Sequence, residues 1–126
     1  GNWTPDESVA LAGSYAPLIP TLAGMKVGAY LLEACTPRAG DMALLRQLPP
    51  DARIGVGVVN QKTPTIEPVD EIAARITRAV ELFGAERLLL HPDCGFATFA
   101  DNPICSAAIA EGKLAAIAAA VERVGR

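Results

Sequence analysis

Three short apolar runs constrain the fold of this chain more than any other feature: residues 27–32, 54–59 and 87–90. None of them alternates apolar with polar side chains, so both faces of each segment should be covered. Continuous apolar runs of this kind are typical of parallel strands that lie between layers of helices. The pattern therefore predicts an α/β fold with three parallel strands.

Helical spacing of apolar residues occupies the segments around these runs. It is clearest over residues 69–83 and 106–124, short over 41–47, and interrupted by glycine and proline over 7–24. The predicted order is α-β-α-β-α-β-α, with four helical segments. We expect the last helix to bury its larger apolar residues, which are Ile109, Leu114, Ile117, Val121 and Val124.

Three strands are too few to close a barrel. They can form a small open sheet, or the final three strands of a (β/α)8 barrel, which typically has about 250 residues. The two alternatives differ in whether the edges of the sheet find partners. Because the chain opens at Gly1 without an initiator methionine, it reads as though it begins partway through a larger protein.

Composition excludes several classes of protein. The net charge is −3 and the basic residues are dispersed, so we expect no nucleic-acid partner. No apolar run is long enough to span a membrane, and we expect no membrane association. An odd number of cysteines at scattered positions does not form a disulfide framework. A reducing compartment is therefore favoured, and we expect a cytoplasmic protein.

Each apolar run is followed directly by a polar cluster, over residues 33–38, 60–63 and 91–95. In parallel α/β folds, ligands bind and chemistry occurs at the carboxyl ends of the strands. Since the three clusters would share one edge of the sheet, their combination carries more weight than any one of them. We expect the functional site at this edge.

Two residues of these clusters are candidate metal ligands. Glu33 follows six apolar residues, where an unpaired carboxylate is costly to bury; it either forms an ion pair with Arg38 or Lys62, or acts as a metal ligand or general base. Cys94 is either a small buried hydrophobe or a ligand in the turn that begins three residues earlier at His91. His91 itself could be a ligand or a hydrogen-bonding support.

Asn60 and Lys62 are the candidate catalytic residues of the second cluster. They could orient an anionic or polar substrate, or they could be solvated loop residues. The two remaining cysteines, Cys35 and Cys105, are interpreted as structural.

The residues of these clusters resemble a known family. Leu90-His91-Pro92-Asp93-Cys94-Gly95 resembles the Asn-Pro-Asp-Cys-Gly signature of the cobalamin-independent methionine synthases. Leu32-Glu33, followed by the segment 41–45, is similar to the family's glutamate strand and its next helix, and the segment 54–60 is similar to its seventh strand. The resemblance runs collinearly from about residue 27 to the C-terminus.

The resemblance implies the C-terminal part of a catalytic (β/α)8 barrel, extending over residues 1–126. In that family zinc activates the homocysteine thiol for attack on the methyl group of a methylated folate. Carried over to this chain, Cys94 is the thiolate ligand and Glu33 the carboxylate ligand of zinc. The partners would be a small-molecule thiol and a methyl donor.

The chain departs from the family at two places, and the departures leave alternatives open. It contains no His-X-Cys pair, which supplies the family's other two ligands. Lys62 stands where the family has its catalytic histidine, and Asn60 where it has an aspartate. A related zinc-thiol alkyltransferase acting on coenzyme M is therefore the second hypothesis. The third is a non-catalytic α/β interaction module that self-associates through unpaired strand edges. We expect the isolated chain to be inactive and to bind zinc weakly.

Overall fold

A three-stranded parallel sheet forms the centre of the structure, a computed structural model that describes residues 4–125. Its strands are β1 (Ala29–Leu32), β2 (Arg53–Val59) and β3 (Leu88–Pro92), and β2 lies between the other two. All three were predicted, with ends that differ by one or two residues. The predicted α/β fold class is confirmed.

A short antiparallel pair of strands follows the sheet and was not predicted. It consists of β4 (Ala97–Phe99) and β5 (Asn102–Pro103). Strands of three and two residues are too short to produce a recognisable alternation of apolar and polar side chains.

The described residues form three α-helices: α1 (Ile19–Ala23), α2 (Val69–Phe83) and α3 (Ala107–Val124). The predicted helices over 69–83 and 106–124 are confirmed, whereas the predicted segment 41–47 forms a 3-10 helix. The 3-10 segments are Glu7–Val9, Ala16–Leu18, Pro37–Ala39, Met42–Gln47 and Ala85–Arg87. Among residues 4–125, no helix has the length and apolar character needed to cross a membrane.

Local sequence signals explain where these helices begin and end. Pro68 precedes α2, and Gly84 ends it with φ of 80°, a conformation that favours glycine. The Ser106 side chain caps α3 by accepting a hydrogen bond from the Ile109 amide at 3.3 Å. Asp41 caps the 3-10 helix that follows it.

The two faces of β2 differ sharply. Side chains on a strand alternate between its faces, and Ile54, Val56 and Val58 form one face, with no exposed surface. We call this the helix face, because it lies in the core together with residues of α2 and α3, namely Ile72, Ile76, Ala79, Ala116, Ile117 and Ala120. The opposite face, which we call the glycine face, carries Gly55 and Gly57.

Helix α3 is buried differently from the prediction. Leu114 and Val121 were expected in the core, but they are 50% and 45% exposed. Both lie toward β3, since each lines a cleft together with residues of that strand, and the outer edge of β3 has no strand partner among residues 4–125. Lys113, which is also in α3, is fully buried.

Candidate active site

Polar residues follow each strand at its carboxyl end. Glu33 comes directly after β1, Asn60 directly after β2, and Cys94 two positions after β3. Because the strands are parallel, these three ends lie along one edge of the sheet, which we call the carboxyl rim.

An ion-pair network connects the rim ends of β1 and β2. Arg38 Nη1 donates to Glu33 Oε2 at 3.0 Å, and Arg38 Nε lies 3.4 Å from Glu7 Oε1. The other carboxylate oxygen of Glu7 accepts a hydrogen bond from Asn60 Nδ2 at 2.6 Å. Pairing with Arg38 was one of the interpretations open for Glu33. A carboxylate has lone pairs for several partners at once, so the ion pair and metal ligation by Glu33 are chemically compatible.

Lys62 is buried beside this network, with 8% of its surface exposed. Its Nζ donates to the backbone carbonyl of Thr4, and its amide donates to Asn60 Oδ1 at 2.9 Å. Asn60 thereby closes a local turn of the kind that asparagine favours. Both residues are ordered by backbone contacts and are not solvated loop residues.

A buried ion pair supports the loop after β2 from below. Glu67 Oε1 accepts a hydrogen bond from the backbone amide of Asn60 at 2.7 Å, and Glu67 Oε2 lies 2.8 Å from Lys113 Nζ. Lys113 also donates to the carbonyl oxygen of Thr65. Sequence reasoning missed this pair because a lysine in a helix resembles an ordinary solvated charge.

Asp93 connects the rim ends of β1 and β3. Its Oδ1 accepts hydrogen bonds from the amides of Ala34 at 2.8 Å and Cys35 at 3.0 Å. Its own amide donates to the carbonyl oxygen of Val59 at 2.8 Å, so all three strand ends are tied together. Asp93 is 5% exposed, and its Oδ2 has no hydrogen-bond partner in the part of the chain that the structure describes.

Sequence reasoning assigned no role to Asp93, although a signal was present. Gly55 and Gly57 interrupt an otherwise bulky apolar strand, and a Cβ atom at position 57 would overlap the Asp93 carboxylate and lie 2.8 Å from Asp93 Cα. A glycine inside a strand often marks a close approach of another chain segment. The glycine could have indicated that something crosses β2 here.

Cys94 lines a cleft of about 500 Å³ at the rim. The cleft has apolar walls from Leu31, Phe96 and Leu114, and its polar lining includes His91 and Asp93. Glu33 does not line this cleft. A volume of this size is in the range of small-molecule sites.

His91 presents an unsatisfied acceptor on the glycine face. Its Nδ1 lies 2.6 Å from the carbonyl oxygen of Pro92. Since a carbonyl only accepts, Nδ1 carries the proton of this contact, which leaves Nε2 as an acceptor whenever the ring is neutral. Nε2 is buried without a hydrogen-bond partner among the described residues. Two residues that line the cleft, His91 and Asp93, thus each carry a buried polar atom without a hydrogen-bond partner among the described residues.

The electrostatic setting of Cys35 disfavours its thiolate form. Burial raises the pKa of the Cys35 thiol, and the adjacent negative charge of Asp93 raises it further. Cys35 therefore remains a neutral thiol at physiological pH, in keeping with the structural role interpreted for it. At Arg38, burial disfavours the charge, but Glu33 and Glu7 outweigh burial and raise the pKa.

The donors at the rim match zinc in kind but not in number. Zinc binds thiolate, imidazole and carboxylate groups, and a catalytic zinc normally has three protein ligands. Within residues 4–125, no three His, Cys, Asp or Glu side chains lie close enough together to hold a metal ion. Glu33 and Cys94 alone do not form a complete site.

Comparison with known sequences identifies relatives over most of the chain. The family model described as "Cobalamin-independent synthase, Catalytic domain" matches residues 12–117. A methionine synthase of Thermococcus kodakarensis is 35% identical over 71 residues, which is 56% of this chain and 21% of the relative. The 2-hydroxypropyl-CoM lyase of Xanthobacter autotrophicus is 31% identical over 83 residues, 62% of this chain and 22% of the relative.

Solved structures share the fold. A B12-independent methionine synthase from Shewanella sp. W3-18-1, in complex with selenomethionine, superposes with a TM-score of 0.77 and 25% identity over 92% of this chain and 33% of its own. A putative enzyme of the same kind from Listeria monocytogenes gives a TM-score of 0.60 and 28% identity over 90% of this chain and 33% of its own. The chain thus spans about a fifth of these curated relatives and a third of these solved structures.

Proposed function

The chain belongs to the family of cobalamin-independent synthase catalytic domains, and from this membership we propose that it is part of a zinc-dependent S-methyltransferase. The reaction is methyl transfer from a methylated folate to the thiol of homocysteine, a step of methionine biosynthesis. One observation carries the proposal: the family match over residues 12–117 includes the whole carboxyl rim, with Glu33, Asn60, Lys62 and Cys94.

In this proposal Cys94 and Glu33 are two of the protein ligands of zinc. Zinc would lower the pKa of a bound substrate thiol and so supply a thiolate nucleophile near neutral pH. For Glu33, ligation requires that its carboxylate share or leave the contact with Arg38. With Glu33 and Cys94 as two ligands where a catalytic zinc normally has three, we expect residues 1–126 to be a partial barrel that is inactive alone and binds zinc weakly.

In this proposal Asn60 and Lys62 orient the polar substrate at the carboxyl rim. Their contacts with Glu7 and Thr4 keep the polar atoms of the loop after β2 fixed near the end of β1. A fixed loop orients a polar substrate without further loss of conformational freedom when the substrate binds. The three free cysteines support a cytoplasmic location for the protein.

A second candidate keeps the metal and the thiol but changes the alkyl donor and acceptor. The relative from Xanthobacter autotrophicus named 2-hydroxypropyl-CoM lyase favours it, and so does Lys62 in place of a catalytic histidine. Coenzyme M carries an anionic sulfonate, which a lysine could attract. Parallel assays with methylated folate plus homocysteine, and with an epoxide plus coenzyme M, separate the two candidates.

A third candidate is a non-catalytic interaction module. Leu31 is 65% exposed, and the outer edges of β1 and β3 have no strand partner among the described residues, so the sheet could pair with another copy of the chain. Sedimentation tests this candidate: a stable monomer at all concentrations contradicts it.

Metal analysis and activity of a complete barrel containing residues 1–126 test the main proposal. We expect one zinc per barrel, loss of zinc in Cys94→Ser, and methyl transfer to homocysteine that depends on the metal. Cys35→Ser is the matched control, since the buried neutral thiol of Cys35 should not bind zinc. A barrel without zinc, or zinc that is unchanged in Cys94→Ser, contradicts the proposal.

A further inference from the structure

Asp93 links two rim segments that belong to strands which are not neighbours in the sheet. It directly precedes Cys94, and its Oδ1 holds the amides of Ala34 and Cys35, which directly follow Glu33. Because β2 lies between β1 and β3, the carboxylate must reach across the central strand. Asp93 therefore connects the segments of the two proposed zinc ligands directly.

Gly57 makes this connection possible. A Cβ atom at position 57 would overlap the Asp93 carboxylate and approach Asp93 Cα to 2.8 Å, and a backbone atom cannot move aside as a flexible side chain can. Only a glycine leaves room for the carboxylate to lie over β2. The Asp93 carboxylate thus lies where a side chain at position 57 would otherwise be.

We propose that Asp93 is a positioning residue that fixes the separation between Glu33 and Cys94. Its two hydrogen bonds to the Glu33 segment are charge-assisted, and such bonds are shorter and stronger than neutral ones. The bond from its amide to the Val59 carbonyl anchors the same residue to β2. The inference rests on the proposed function, because it assigns Glu33 and Cys94 to one metal ion.

An alternative role for Asp93 is direct contact with a ligand through Oδ2, which lacks a partner among residues 4–125. The two roles make different demands on the side chain. Positioning needs an acceptor oxygen at the place of Oδ1, which an asparagine supplies. Contact with a positively charged or proton-donating ligand needs an acceptor at the place of Oδ2, where an asparagine that keeps its oxygen at the place of Oδ1 has an NH2 group instead.

Four variants of the full chain separate these roles. Asp93→Ala removes the acceptor, whereas Asp93→Asn retains it without the charge. Gly57→Ala leaves Asp93 unchanged but displaces it. Gly55→Ala is the matched control: the same substitution on the same face of β2, where the new atom would meet the tip of the exposed Leu31 and lie 3.1 Å from His91 Nε2.

Hydrogen exchange measured by NMR reports the connection directly. We expect the amides of Ala34 and Cys35 to exchange about tenfold or more faster in Asp93→Ala and in Gly57→Ala, because hydrogen bonds to a charged acceptor are lost. Asp93→Asn should retain most of the protection, and Gly55→Ala should retain all of it. Amides of α2, measured in the same spectra, show whether each variant remains folded.

Cadmium affinity reports what the connection does for the proposed ligands. Cadmium is the probe because its bond to a thiolate absorbs in the ultraviolet. We expect affinity to fall about tenfold or more in Gly57→Ala and Asp93→Ala, as is usual when groups that orient metal ligands are removed. Asp93→Asn should retain most of the cadmium affinity. A general loss of stability at this position would not explain that difference between the two Asp93 variants.

Several results would overturn the inference. One is unchanged exchange at Ala34 and Cys35 in Asp93→Ala; another is an effect of Gly55→Ala as large as that of Gly57→Ala. A loss of cadmium affinity in Asp93→Asn equal to that in Asp93→Ala would assign Asp93 to ligand contact instead. If Cys94→Ser binds cadmium as the unaltered chain does, the metal site of the proposed function fails, whereas unchanged amide protection contradicts the positioning role alone.

Discussion

The two faces of β2 show how one strand can serve stability on one side and function on the other. The helix face carries three branched apolar side chains, Ile54, Val56 and Val58, all fully buried. The glycine face carries no side chain at positions 55 and 57, and the space above them is occupied by Leu31 of β1, His91 of β3 and Asp93, which directly follows β3. Branched apolar side chains fill the first face, whereas two polar side chains and one leucine cover the second.

The difference between the two faces shows at which positions of β2 a substitution is costly. On the helix face, each side chain packs into a close-packed core, so a change in volume is costly. On the glycine face, the cost of a substitution depends on what lies above the glycine: the fixed backbone of Asp93 at position 57, or the flexible tip of Leu31 at position 55. Predictions follow from the contrast, beginning with the largest effect.

Removing the buried positive charge of Lys113 should cause the largest loss in the free energy of unfolding. Lys113→Met keeps the aliphatic stem but leaves Glu67 without its partner, and removal of one member of a buried ion pair typically costs about 3–5 kcal/mol. Urea unfolding measures the loss. The double variant Lys113→Met with Glu67→Gln should recover part of it, because no unpaired charge then remains; equal losses in the single and double variants contradict this account.

Truncation on the helix face should be the next largest effect. We expect Ile54→Ala to lower the free energy of unfolding by about 2–5 kcal/mol through lost burial and a residual cavity. Leu31→Ala is the matched control from the glycine side; as Leu31 is 65% exposed, its change should stay within about 0.5 kcal/mol. Similar losses in the two variants would remove the contrast between the faces.

The smallest effect on stability, but a visible one on association, is expected from a charge on the glycine side. Leu31→Lys places a cation on an edge strand, a substitution that discourages pairing of edges between chains. Stability should change little, while sedimentation should show a larger monomer fraction than for the unaltered chain. The opposite shift, toward larger species, contradicts the prediction.

The sequence predicted the sheet because its signal is local. Continuous apolar runs and helical spacing identified the three strands, α2 and α3, and the carboxyl rim followed from the parallel arrangement. Leu114 and Val121 were wrongly placed in the core because periodicity does not reveal which neighbours exist on each side of a helix. The 3-10 helix Met42–Gln47 was predicted as an ordinary helix, since six residues before two prolines show no distinct period.

The contacts of the site were less predictable because they join distant parts of the chain. Asp93 meets Ala34 across 59 positions, and Lys113 meets Glu67 across 46. A single sequence gives no direct sign of such partners. Glu33 was recognised as a residue that needs a partner, but only the structure chose Arg38 among the possible cations.

A double-mutant cycle in cadmium affinity tests most directly whether Glu33 and Cys94 serve one metal ion. The cycle compares the unaltered chain with Glu33→Gln, Cys94→Ser and the double variant. If both residues bind the same ion, each single change weakens binding and the double change weakens it less than the sum of the two free energies. If Glu33→Gln leaves the affinity unchanged, or if the two effects simply add, the metal site at the carboxyl rim is contradicted.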